Sequence, residues 1–279
     1  MSQKNVSIKK SLGNLEPFSI KKLKKSLESC EISDVEIESI IAKITPKLYH
    51  GISSDEIYNH VLSFLKKRNP TQASKYSLKK AIFDLGPTGY PFEKLISALL
   101  KQKGYSTKVG VILQGECVSH EIDVLAEKDG FAYTIECKFH SNPSTVSNVK
   151  VPLYINSRFL DVQQKWNSSN KKVHLKQGWL VTNTRFTKDA INYAKCVDLT
   201  LLSWDYPKGK GISKNIDTFG LYPITTLYSL SKLEKTKLIK KNIILIKELL
   251  ETPDILKTLK IPSHRIAEIL MEVQKLCRI

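Results

Sequence analysis

Apolar positions along this chain change their period twice. Over residues 1–86 they recur every three or four residues, the spacing of helices with one buried face. Leu23 and Leu27 follow Ser19, a residue suited to cap a helix, and Val35, Ile37, Ile40, Ile41 and Ile44 line a second helix over 33–48. Ser53-Ser-Asp-Glu-Ile opens a third helix to Leu65, and a fourth is expected from Thr71 to Leu85. A short strand at Val6–Lys10 and the turn Gly13-Asn14 precede them. Gly86-Pro-Thr-Gly-Tyr-Pro91 breaks the pattern and marks a boundary. Then Phe92, Leu95, Ile96, Leu99 and Leu100 form one helical stripe. Strand-like segments follow at 105–111, 121–125 and 132–139, a helix at 154–166, a strand at 178–183, a helix at 187–195 and a strand at 200–203. Residues 207–222 read as a polar, glycine-bearing linker, and the rest as helices over 233–250, 253–259 and 263–276. The expected domains are therefore 1–86, 87–206 and a linker plus helical region at 207–279, an α/β (α+β) chain.

Strand alternation gives the middle stretch its chemistry. In Tyr133-Thr-Ile-Glu-Cys-Lys-Phe139, Glu136 and Lys138 leave one face together while Tyr133, Ile135, Cys137 and Phe139 leave the other. Asp123 lies between Ile122 and Val124 just upstream. If the two segments pair as a hairpin, Asp123, Glu136 and Lys138 meet at one edge of a sheet. Two carboxylates can hold a hard divalent cation, and an ammonium beside them can orient a water.

Charge then narrows the partners. The net charge is +17, from 44 basic and 27 acidic residues, which favours a polyanion. Between Cys137 and Gly178 seven Lys or Arg face only Asp161, with Phe139, Tyr154, Phe159 and Trp166 among them. Lys150, Tyr154 and Arg158 are candidate contacts to a nucleic-acid backbone, and His140, just past the strand, is a further one. Five scattered cysteines without a Cys-X-X-Cys pair point away from zinc and disulfides and toward a reducing cytoplasm. No apolar run approaches the roughly 18 residues that span a bilayer.

Two resemblances sharpen this reading. Ile8-Lys-Lys-Ser-X-Gly13-X-X-Glu-Pro-Phe18-X-X-X-Lys22-Leu23, continued in Tyr49–Ile57 and Tyr76–Phe83, resembles the ATP-cone, a mainly helical nucleotide-sensing module. The resemblance implies that Lys10 and Lys22 contact phosphates of ATP or dATP, with Ser54 adding a hydroxyl and Ile8 and Glu16 bordering base and sugar. Ser11 stands where that family commonly has arginine. Glu93, Asp123 and Glu136-Cys-Lys138 resemble the PD-(D/E)xK signature of Mrr-like restriction endonucleases, whose fold is an α/β/α sandwich. That resemblance implies Mg²⁺ at Asp123, Glu136 and Cys137, and catalytic roles for Glu93, Asp123, Glu136 and Lys138. Leu259–His264 loosely resembles a helix-hairpin-helix without its glycine, and packing or dimerisation is its expected job.

Together these readings imply a nucleotide-regulated, Mg²⁺-dependent DNA endonuclease of a bacterial restriction or defence system, acting as a homodimer or larger homo-oligomer. The rival is a non-catalytic, ATP- or dATP-responsive DNA-binding regulator with a silent nuclease fold.

Overall fold

The computed structural model describes residues 6–10, 13–169 and 172–277. The chain divides into two compact units, one ending at Leu78 and one beginning at Lys79. Among the described residues no helix is long and apolar enough to cross a membrane.

The first unit is a two-stranded hairpin with helices. Strands β1 (Ser7–Lys9) and β2 (Leu15–Pro17) pair antiparallel with Ile8 opposite Glu16, and Lys9 bridges to Ser53. Helices α1 (Ile20–Glu28), α2 (Asp34–Ile44) and α3 (Ser54–Arg68) each begin at a serine whose hydroxyl accepts a backbone N–H: Ser19 from Lys22, Ser33 from Glu36 and Ser53 from Glu56. Each cap satisfies an amide that the helix cannot. Helix α4 spans Pro70–Phe83. Leu27, Ile37, Ile40, Ile52, Val61 and Leu65 make the core. Val35, grouped with the apolar stripe of α2 in sequence, is 81% exposed, because it falls about half a turn from the buried face of Ile37, Ile40 and Ile44.

The second unit is an α/β/α sandwich. Its strands are β3 (Ser106–Gln114), β4 (Ser119–Lys128), β5 (Phe131–Lys138), β6 (Val146–Ser147), β7 (His174–Thr182), β8 (Arg185–Phe186) and β9 (Thr200–Leu202). The main sheet has the order β3-β4-β5-β7-β9, antiparallel from β3 to β5 and parallel from β5 to β9. Helix α5 (Tyr90–Gln102) covers one face, where Ser97 and Thr107 exchange a 2.8 Å hydrogen bond between hydroxyls. Helices α6 (Lys150–Ser168) and α7 (Lys188–Cys196) cover the other. Under them, Leu125, Ala132, Phe159, Val162, Trp166 and Leu175 form one apolar cluster. Strand β5 is central and buried on both faces, unlike a half-exposed strand.

Two expectations past residue 206 fail. The segment read as a linker contains helix α8 (Ile212–Phe219), which packs on α5, and Ile212, Ile216, Leu221 and Tyr222 are fully buried. Lys214 and Thr218 face outward on an amphipathic helix, and buried Asn215 is satisfied by the Lys210 and Gly211 carbonyls, so mean polarity misrepresents it. The helix expected over 233–250 is instead α9 (Lys232–Lys240), an extended stretch, and a single turn α10 (Glu248–Glu251). Asn242 takes a left-handed backbone, φ +64°, and stops α9. Ile244 and Ile246 then join residues 222–224 through extended-chain hydrogen bonds, as a β-branched run prefers. Helices α11 (Asp254–Thr258) and α12 (Ser263–Cys277) complete the unit.

Candidate active site

The candidate site opens where the central strand loses one neighbour. The ladder between β4 and β5 ends at Val124 opposite Ile135, whereas β5 continues beside β7 as far as Lys138 opposite Thr182. The next β5 amide on the open side, that of Cys137, donates to Asp123 Oδ2 at 2.6 Å. A carboxylate thus replaces a carbonyl at the fork, which orients Asp123 toward the gap. The parity of β5 places Glu136 with Leu180 beneath α6, and Lys138 follows, exposed, at the strand end. Asp123, Glu136, Lys138, Lys150, Tyr154 and Arg158 line the resulting cleft of about 370 Å³.

Glu93 enters from the other layer. It sits in the first turn of α5, and the approach to that turn is tight. A side chain at Gly86 would place its Cβ 2.9 Å from the Phe139 ring, and Phe139 packs on Phe92 with ring centroids 5.8 Å apart. The end of β5 and the start of α5 are thereby locked together. Burial first, then the charges of Asp123 and Glu121, push the Glu93 carboxyl up to about 7. Burial and Asp123 push Glu136 up to about 7 as well, against the opposing pull of Arg158. Asp123 is raised in the same direction, chiefly by burial, although the Cys137 amide opposes it.

Three carboxyls raised by burial, two of them raised further by the charge of Asp123, describe a place short of positive charge. Glu136 makes this explicit: Arg158 Nη1 donates to its Oε2 at 2.8 Å, while its buried Oε1 has no hydrogen-bond partner. A buried, unmet carboxylate oxygen beside a second carboxylate is a donor set for a hard cation. Among the described residues no three His, Cys, Asp or Glu side chains already converge on one point. Asp123 and Glu136 would therefore hold an ion with solvent or phosphate oxygens completing its shell. Burial raises the Cys137 thiol well above its ordinary value, so it supplies no thiolate. What Cys137 can offer a hard ion is its carbonyl oxygen.

Arg158 is placed differently from a free backbone contact. Besides Glu136, its Nη2 donates to the Glu121 carbonyl and its Nε to His120 Nδ1 at 3.4 Å. His120 Nε2 in turn meets Asp161 Oδ2 at 2.7 Å, and Asp161 also accepts the backbone N–H groups of Cys117 and Val118. The hydrogen bond from His120 and those amides hold Asp161 well below the usual carboxylate range. The neutral histidine with its proton on Nε2 satisfies both neighbours. His120 and Asp161 were not singled out from sequence. The available signal was that Asp161 is the lone acid in a basic stretch, three residues from Arg158 and so on the same side of α6.

Of the other candidates, Lys150 and Tyr154 stand exposed at the cleft, with Arg158 Cζ 5.6 Å from the Tyr154 ring. His140 lies outside it. Its backbone N–H donates to Asn183 Oδ1, its carbonyl accepts from Asn183 Nδ2, and its Nε2 meets Ser147. Burial, then Lys138, lowers its proton affinity, which fits a strand-end clamp better than a cationic phosphate contact.

In the first unit, Glu16 lies 3.7 Å from both Lys10 and Lys22, so one carboxylate faces two ammonium groups. The Ser54 hydroxyl donates to the Lys9 carbonyl, and Ile8 is buried. Ser11 falls outside the described residues.

Comparison with known proteins accords with both halves. Family models match an ATP cone domain at residues 6–82, a restriction endonuclease domain of the Mrr type at 87–205, and an "AF1548-like, C-terminal" domain at 222–277. The chain joins an ATP cone domain to an Mrr-type restriction endonuclease domain. An uncharacterized protein of Archaeoglobus fulgidus is 36% identical over 181 residues, covering 64% of this chain and 98% of that protein. The crystal structure of AF1548, a protein of unknown function, aligns at 34% identity with a TM-score of 0.56, covering 68% of this chain and 98% of that one. Each of these two matches leaves about a third of this chain without a counterpart.

Proposed function

We propose that this chain is a nucleotide-regulated, Mg²⁺-dependent endonuclease that hydrolyses DNA phosphodiester bonds, in the cytoplasm, within a restriction or defence system. The observation that carries the proposal is the unpartnered, buried oxygen of Glu136 beside Asp123 in a cleft mouthed by Lys138 and Lys150. Asp123 and Glu136 would hold the ion, which when bound polarises the scissile phosphate and acidifies a water. Lys138 offsets charge on the phosphate and orients the attacking water. Glu93, with its carboxyl near 7, can hold or release a proton at neutral pH. Lys150 and Tyr154 bear on the nucleic-acid backbone, while Arg158 fixes the rotamer of Glu136. In the cone, ATP or dATP phosphates would displace Glu16 from Lys10 and Lys22. Cutting both strands asks for two such sites, hence a homodimer or larger homo-oligomer.

The test is cleavage of supercoiled plasmid with Mg²⁺, with and without ATP or dATP, beside an Asp123→Asn variant that keeps the Cys137 hydrogen bond. Nicking or linearisation that disappears in the variant and responds to nucleotide is expected. One observation favours a silent site: Arg158 already neutralises Glu136 in part. DNA binding with no cleavage under any condition would establish that reading instead.

A further inference from the structure

The C-terminal helices carry a second positively charged cleft. Lys237, Lys240 and Lys241 from the end of α9 and Lys260 from the turn between α11 and α12 surround a depression of about 470 Å³, with Thr258 and Leu259 on its floor. All four lysines are exposed, and among the described residues none has a carboxylate within ion-pair distance. The nearby acids are already engaged: Asp254 pairs with Lys257 at 2.8 Å and Glu234 with Arg265 at 2.7 Å.

Helix polarity explains part of this, since cations at the end of α9 complement its macrodipole. It does not explain Lys260, which comes from another element and points its charge into the same space. Lys260 also adopts a left-handed backbone, φ +59°, where glycine would be relaxed. Four like charges held together without counter-ions are unfavourable unless an anion joins them.

We propose that this cleft is a binding site for the sugar–phosphate backbone of duplex DNA, separate from the hydrolytic cleft. The walls present ammonium groups and one hydroxyl, with no ring to stack on a base and no carboxylate to repel an anion, so repeated phosphate is the chemistry they fit. Lys237 and Lys240 lie three residues apart on α9 and so share one side of it, and Lys241 follows at its C-terminal cap, which lets the three meet phosphates of one strand. The choice of DNA as occupant rests on the nuclease reading above, but the binding itself does not require catalysis.

The test is fluorescence anisotropy of a labelled DNA duplex in EDTA across a salt series, with wild type, Lys240→Gln/Lys241→Gln, Lys260→Gly, and a control pair of equal charge, Lys188→Gln/Lys195→Gln on α7. Each lost phosphate contact lowers the slope of log affinity against log salt by about 0.9, roughly an eightfold loss at about 0.1 M salt. The double variant is expected to lose about twice that slope, and the control pair little. Lys260→Gly is expected to raise the melting temperature while weakening binding, which separates a charge role from a folding role. An unchanged slope in the double variant, an equal loss in the control pair, or unaltered binding by Lys260→Gly would each overturn the proposal. Absence of plasmid cleavage alongside intact lysine-dependent binding would sink the nuclease reading and leave this site standing.

Discussion

Replacing Glu93 with glutamine should make the protein more stable and less active. The folded carboxyl is pushed up to about 7 from an ordinary 4.5, so between those pH values the folded state binds more protons than the unfolded one. Stability contributed by the protonated acid is full below 4.5 and falls as pH rises toward 7. A gap of about 2.5 pH units corresponds to roughly 3.4 kcal/mol at 1.36 kcal/mol each. Glu93 is only partly buried, and the start of α5 favours its charge, so the net penalty above pH 7 is about 1–2 kcal/mol. Glutamine has nearly the same shape and no charge to suppress. Melting temperatures in EDTA should therefore rise by roughly 2–8 °C at pH 8, at about 2–4 °C per kcal/mol for a unit of this size. At pH 4.5 wild type and variant should melt together. A variant that is destabilised at pH 8, or shifted equally at both pH values, would refute the claim that burial and its neighbours' charge penalise the Glu93 carboxylate.

Three further outcomes follow from the same geometry. Gly86→Ala drives a methyl to within 2.9 Å of the Phe139 ring and should cost about 1–3 kcal/mol in urea melts, together with a loss of cleavage, because it unlocks β5 from α5. Glu234 is held at about 2, chiefly by its hydrogen bond from Arg265, so its stabilisation is present above 4.5 and is lost as pH falls from 4.5 toward 2. Arg265→Met should flatten that acid limb of the stability curve; an unchanged limb would show that the pair contributes nothing. Lys22→Gln should weaken ATP binding by calorimetry about tenfold, the effect of one charge-assisted contact of about 1.4 kcal/mol, while Lys47→Gln on the same unit should not.

Local chemistry was legible in the sequence and tertiary chemistry was not. Ser19, Ser33 and Ser53 cap the helices expected of them, since capping depends on three or four consecutive residues. The α/β/α order was legible because each strand and helix carries its own period. Past residue 206 that logic misled. Leucines and isoleucines from 233 to 250 have helical spacing, yet Asn242 and the pull of residues 222–224 turn Ile243–Ile246 into extended chain. A pairing partner twenty residues away leaves no mark on local periodicity.

The candidate site divides along the same line. Asp123, Glu136 and Lys138 were readable because a strand's two-residue period fixes their common side. What orients them was not, because Arg158, His120 and Asp161 meet only when α6 crosses β4. Their arrangement also sorts Lys150, Tyr154 and Arg158 of α6 into two kinds. Arg158 gives its guanidinium to Glu136 and the Glu121 carbonyl, so bonding a DNA phosphate would require leaving a buried carboxylate uncompensated. Lys150 and Tyr154 carry no such obligation and remain exposed at the cleft. Composition scores these positions alike, whereas the geometry ties one into the carboxylate network and leaves the others exposed at the cleft.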